Sequence, residues 1–181
     1  SLVGRENCFY FHVVFVPDLS TSEEFKTKPA QNALRDLREF GIIPDMVGVR
    51  LDVPSEQLTS AWADKITGKI ATFGGVSTER VMLLPNAGSV YDIPFNMLSQ
   101  IQPISDFANL RKKPDMKQWE GLRRQIQAKP TSQVTIGLVA KYVDNSDTYK
   151  SVGEALHAAA WAQNVGLTVR WINAEKLEKM D

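Results

Sequence analysis

Tyr10-Phe11-His12-Val13-Val14-Phe15-Val16, closed by Pro17, and Lys26-Thr27-Lys28-Pro29-Ala30-Gln31, which opens the next element, decide the fold. The first stretch is a nearly unbroken apolar run, rich in β-branched and aromatic side chains. A strand with one wet face would alternate, so the run suits a strand covered on both faces, as in a parallel sheet. A polar stretch from Asp18 to Glu24 leads to Phe25. Pro29 carries the fixed φ of a first helical residue. From there Ala30, Ala33, Leu34, Leu37 and Phe40 share one helical face, and Arg35, Asp36, Arg38 and Glu39 the other. Gly41 suits the C-terminal cap. Met46 to Leu51 reads as a second strand. Strand, helix, strand predicts an α/β sheet.

Further along, Ser55 and Thr67 are N-cap candidates for two helices, 56–65 and 68–73. Arg80 to Leu84 reads as another short strand, 85–88 as a loop, and Ile93 to Gln100 as a short helix. Residues 101–133 hold three of the nine prolines and many charges, with an amphipathic pattern at Met116, Trp119, Leu122, Arg123 and Ile126. They read as a partly helical connector. At Val134 a strand, a helix over Thr148 to Gln163, and a second strand over Leu167 to Ile172 form a βαβ unit, with a further helix near Ala174. The expected domains are therefore 1–100, a connector over 101–133, and 134–181.

The 181 residues carry 21 basic and 21 acidic side chains, so no whole-molecule field favours nucleic acid or anionic membrane. Any anion site must be local. One cysteine, Cys8, excludes an internal disulfide framework and a cysteine-based zinc site. No apolar run reaches membrane-spanning length, so the default expectation is a cytoplasmic protein. Neither His12 nor His157 has an evident catalytic partner in the sequence.

The chemistry concentrates at Lys26 to Gln31. Two ammonium groups flank a hydroxyl at a helix start, where unpaired N–H groups and the positive end of the helix dipole point the same way. A polyphosphate would find cations and donors together there. Lys69, read as the start of a second short helix after Gly68, could add a third cation. The plain alternative is solvated surface charge.

Several runs, in this order, resemble those of the CTP synthases. His12 followed by Val16-Pro17 is similar to their H-x-x-x-V-P. Phe25-Lys26-Thr27-Lys28-Pro29-Ala30-Gln31-Asn32, then Gly41-Ile42-Ile43-Pro44-Asp45 and Arg50, resembles K-T-K-P-T-Q-H-S … G-I-x-P-D … R. Gly68-Lys69-Ile70-Ala71-Thr72-Phe73 resembles K-I-A-x-F, and Ser89-Val90-Tyr91-Asp92-Ile93-Pro94 resembles S-I-Y-x-I-P. Val134 to Tyr142 and Asp147 to Val152 resemble V-T-I-x-x-V-G-K-Y and D-A-Y-x-S-V. Ala30, Asn32, Ala33 and Ala140 depart from the pattern, and several extra residues lie between Val53 and Gly68.

The resemblance implies a fold of two parts. One is the end of a P-loop-type, dethiobiotin-synthetase-like amidoligase domain; the other is the first βαβ unit of a flavodoxin-like glutaminase domain. It implies ATP-dependent amination of UTP to CTP with glutamine-derived ammonia in a homotetramer, with ATP, UTP and glutamine as substrates, magnesium bound by parts outside this segment, and GTP as an activator. It assigns UTP and CTP binding to Lys26, Thr27, Lys28, Pro29, Ala30, Gln31 and Lys69. ATP adenine falls to Pro85, Asn86 and Ala87, and an aromatic contact to Phe73. Lys141, Tyr142 and Lys150 would structure a domain interface or ammonia path. No G-x-x-x-x-G-K-[ST] run and no glutaminase cysteine context occur, so no catalytic residue and no metal ligand is expected within the segment. The alternatives are a non-catalytic nucleotide-binding or assembly module, and another amidoligase fused to a glutaminase.

Overall fold

A computed structural model describes residues 2–19 and 24–177. The polar stretch expected after Pro17 falls largely on 20–23, outside the described residues. The fold is α/β with parallel sheets, and the chain divides into two compact units, Ser1–Pro114 and Asp115–Asp181.

The first unit is built on β1 (Phe11–Val16). A small antiparallel pair, β2 (Asp18–Leu19) and β3 (Glu24–Phe25), precedes α1 (Lys28–Glu39). Then come β4 (Met46–Pro54), α2 (Ser60–Gly74) and β5 (Val81–Asn86). β1, β4 and β5 lie side by side in that order, all parallel. Side chains alternate across a strand, so Val14 and Val16 of β1 share a face with Val47, Val49, Leu51 and Val53 of β4 and Val81 of β5. Leu34 of α1 and Ile66 and Ile70 of α2 close over that face, and all of these residues are buried. The opposite face carries Gly48, where an added Cβ would lie 2.7 Å from the Phe11 ring, closer than any methyl can sit.

Residues 55–74 differ from expectation. They form one short 3-10 turn, Ser55–Gln57, and one continuous helix rather than two. Thr59, not Ser55 or Thr67, is the N-cap, its hydroxyl accepting from Trp62 N at 3.3 Å. Trp62, Ile66 and Ile70 recur every four residues, and their packing carries the helix through Gly68. Gly68 faces open space, so it costs only its propensity. Gly75, at φ 68, supplies the left-handed C-cap.

At the amino edge of this sheet Arg5 donates two hydrogen bonds to Asp45, at 2.8 and 2.9 Å, and stacks on Tyr10. Tyr10 N–H donates to the same carboxylate at 2.7 Å. Burial pushes the Asp45 carboxyl up, but these hydrogen bonds and the charges of Arg5 and Arg80 outweigh it, holding it below the ordinary carboxylate value.

After β5 the unit continues through α3 (Ile93–Leu98) and α4 (Gln102–Phe107). The second unit begins with α5 (Lys117–Gln127), on the expected amphipathic pattern. Then β6 (Ser132–Ala140), α6 (Lys150–Ala162) and β7 (Val165–Asn173) form a βαβ unit, with β6 and β7 parallel in nine-residue register and α7 (Ala174–Leu177) after them. Its buried apolar residues are Ala140 and Ala160 alone among those described.

Candidate functional site

The carboxyl ends of three parallel strands, at Val16, Pro54 and Asn86, share one edge of the first sheet. Ligands of open α/β sheets bind along that edge. Two clusters of the expected residues lie there, on opposite faces.

The first is the start of α1. Lys28 is exposed and Lys26 half-buried, and α1 carries no acidic residue in its first turn. Pro29 sits in that first turn as expected, but the helix starts one residue earlier, at Lys28. Thr27 occupies the cap position without capping. Its φ of −81° and ψ of −7° are helical rather than extended, which turns its hydroxyl away from the first-turn N–H groups. Lys28 and Ala30 N–H therefore have no hydrogen-bond partner among the described residues. Thr27 is 5% exposed, and its hydroxyl accepts from Gln31 Nε2 at 2.9 Å. Ala30 is buried in the core, so its methyl serves packing.

Lys69 begins no helix. It lies in the third turn of α2, with no second helix dipole to add. Both helices run back against parallel strands, so they point the same way. An ideal Cβ on Gly74 would lie 3.9 Å from Leu34 Cδ1. Walking about five residues back along both helices from that contact sets Lys69 level with the first turn of α1. Lys69 is half-buried. Phe73 lies one turn beyond Lys69 on α2 and is 47% exposed, with its carbonyl accepting from Arg38 Nη2 at 2.5 Å.

The second cluster is a cleft of about 320 Å³ lined by Pro85, Asn86 and Ala87 together with Arg50, Leu84, Val90, Ile93 and Met97. Arg50 and Leu84 alternate with the core-facing Val49 and Leu83, which places this cleft on the sheet face opposite α1 and α2. The Arg50 guanidinium donates to Leu84 O at 3.2 Å and to Leu51 O and Asn86 Oδ1, clipping the ends of β4 and β5 together. Asn86 Nδ2 in turn reaches Asp52 at 3.4 Å. Sequence reasoning did not place Arg50 in a site; the signal was a charged residue two before Asp52 in an otherwise apolar strand. A mostly apolar slot with a few polar groups fits a flat ring.

In the second unit Tyr149 Oη accepts from the N–H groups of Lys141 and Tyr142 at 3.2 and 3.4 Å. Lys150 pairs with Glu154 at 3.0 Å along α6. His157 Nδ1 meets Gly153 O at 2.8 Å. His12 lies on the helix-covered face of β1 with Nε2 buried and unpartnered among the described residues. Among the described residues there is no group of three or more His, Cys, Asp or Glu that could hold a metal ion. No described helix is long and apolar enough to cross a membrane.

Residues 1–107 match the family model described as the CTP synthase N-terminus. Curated relatives agree over nearly the whole chain. A CTP synthase of Acaryochloris marina is 36% identical over 179 residues, 97% of this chain and 31% of the relative. One of Synechococcus sp. is 38% identical over 180 residues, 98% of this chain and 32% of the relative. One of Campylobacter jejuni is 35% identical over 182 residues, 99% of this chain and 32% of the relative. The chain spans just under a third of the length of these relatives.

Proposed function

This chain belongs to the family of the CTP synthase N-terminus, and from that premise we infer that it is the part of a CTP synthase that holds the pyrimidine nucleotide. The observation that carries the reading is the start of α1. Lys26 and Lys28 stand beside first-turn N–H groups that neither Thr27 nor an acidic side chain satisfies. Triphosphate needs cations and N–H donors in one place. Lys69 comes to the same level from α2. Lys26, Lys28, Pro29, Gln31 and Lys69 are thus the UTP and CTP contacts, with Ala30 contributing backbone, Thr27 lying inside the segment without a nucleotide contact of its own, and Phe73, one turn beyond Lys69 on α2, offered as an aromatic contact. The cleft at Pro85, Asn86 and Ala87 is offered to the ATP adenine, on the other face of the same sheet edge.

The reaction proposed for the whole protein is that of its relatives' name. ATP phosphorylates the C4 oxygen of UTP, ammonia released from glutamine attacks C4, and phosphate leaves, giving CTP and ADP. These 181 residues contain neither a G-x-x-x-x-G-K-[ST] loop nor a glutaminase cysteine setting. Their part is to bind and orient, and the segment alone is expected to turn over neither UTP nor glutamine. On the same reading the first unit is the end of a P-loop-type synthetase domain and the βαβ unit opens a flavodoxin-like glutaminase domain. The assembly is a cytoplasmic homotetramer, with GTP as activator.

Lys28→Ala tests the reading. It removes an exposed cation but no core packing, so affinity for UTP and CTP should fall together by about 1.5–3 kcal/mol, the scale of a charged hydrogen bond. Isothermal titration that finds both affinities unchanged removes Lys28 from the site.

A further inference from the structure

Thr27 is the residue at the start of α1 whose placement the nucleotide reading does not explain. It lies between two lysines, yet its side chain is turned inward and 5% exposed. A threonine before a helix normally spends its hydroxyl on a first-turn N–H. Here the hydroxyl instead accepts from Gln31 Nε2 at 2.9 Å, one turn further on, while Thr27 O accepts the Gln31 backbone N–H at 3.0 Å. Gln31 is half-buried, and its hydrogen bond to Thr27 uses only one of its amide's polar groups.

We propose that Thr27 is a positioning residue: its buried hydroxyl fixes the Gln31 amide in place before the nucleotide arrives, and it does not itself touch the nucleotide. The inference rests on the nucleotide reading above. Glutamine is among the side chains with most rotamer freedom to lose, so a free Gln31 would be ordered at the expense of affinity. A prefixed amide meets the polar groups of the ligand without that loss. The amide has two N–H donors and a carbonyl, and one hydrogen bond to Thr27 leaves the rest of this set for a base edge or a phosphate oxygen.

The test is a double-mutant cycle on the full chain, read by titration with UTP. Thr27→Val keeps the shape and removes the hydroxyl, and should weaken UTP about tenfold, whereas Thr27→Ser keeps the hydroxyl and should bind like the wild type. In a Gln31→Ala background Thr27→Val should have no further effect, because nothing remains to be positioned. An equal loss in both backgrounds would overturn the inference, since Thr27 would then act on the ligand directly or through the fold. Wild-type affinity in Thr27→Val would overturn it as well, while leaving the nucleotide reading standing. Failure of the wild-type chain to bind UTP would take down the reading and the inference together.

Discussion

Val13-Val14-Phe15-Val16 in β1 and Val134 to Val139 in β6 are apolar runs of the same kind, and both form parallel strands. Their surroundings differ. In the first unit two helices cover one sheet face and bury Val14 and Val16, while Val13 (56% exposed) and Phe15 (50%) on the other face stay open, against the expectation of a strand covered on both faces. In the second, a single helix follows β6; Val134 is 41% exposed and Val139 58%. An apolar run therefore announces a strand, whereas its burial depends on how many other elements the chain brings to that face. One βαβ unit brings too few. Its stability must come from local hydrogen bonding and modest packing, and the first unit should behave as the better-cored of the two.

The sharpest way to break this comparison is a pair of truncations. Leu34→Ala removes a fully buried side chain between α1 and the sheet and should cost about 2–5 kcal/mol. Val139→Ala, on an exposed strand position, should stay within about 0.5 kcal/mol. Urea titration followed by amide signals of each unit measures both, and equal costs would erase the contrast. Gly48→Ala comes next. The Phe11 ring lies across Gly48, 2.7 Å from where a Cβ would stand, and would have to turn away from an added methyl, with Leu84 Cδ1 at 3.2 Å beside it, so roughly 1–3 kcal/mol is expected. A wild-type urea midpoint would mean that this sheet face is slack.

The smallest effect is at Asp45. Its carboxyl is held below its ordinary value, so it stabilises the fold while ionised. That contribution is present above the unfolded carboxylate pKa of about 4 and is lost as pH falls through the lower folded value. Asp45→Asn should cost about 1 kcal/mol at neutral pH, kept small because the pair faces solvent, and should flatten this part of the acid profile. An unchanged acid profile of stability in the variant would show that Asp45 contributes nothing to it.

Much of the first unit was legible because its elements obey one period at a time. β1, α1, β4 and β5 follow from apolar runs, Pro29 and Gly41. The helix over residues 60–74 was not, because Gly68 and the hydroxyl of Thr67 imitate a boundary, while the packing of Ile66 and Ile70 on the sheet overrides both. That error reached the site: Lys69 looked like a helix start and is instead a mid-helix cation. The Lys26 to Gln31 cluster was legible as charge at a helix start. The inward turn of Thr27 was not, since sequence gives a residue's type and not its φ and ψ. Arg50 belongs to the run that resembles the family but had no assigned role, because that role depends on register, which sets it beside Leu84 and within reach of Asn86 across the sheet.

The central claim is that one sheet edge holds two different nucleotides on opposite faces. Backbone amide shifts of the labelled chain, recorded separately with UTP and with ATP, address it most directly. UTP is expected to move Lys28, Ala30 and Gln31, and ATP to move Asn86 and Ala87. Identical shifts for both nucleotides, or none at the start of α1 with UTP, would contradict it.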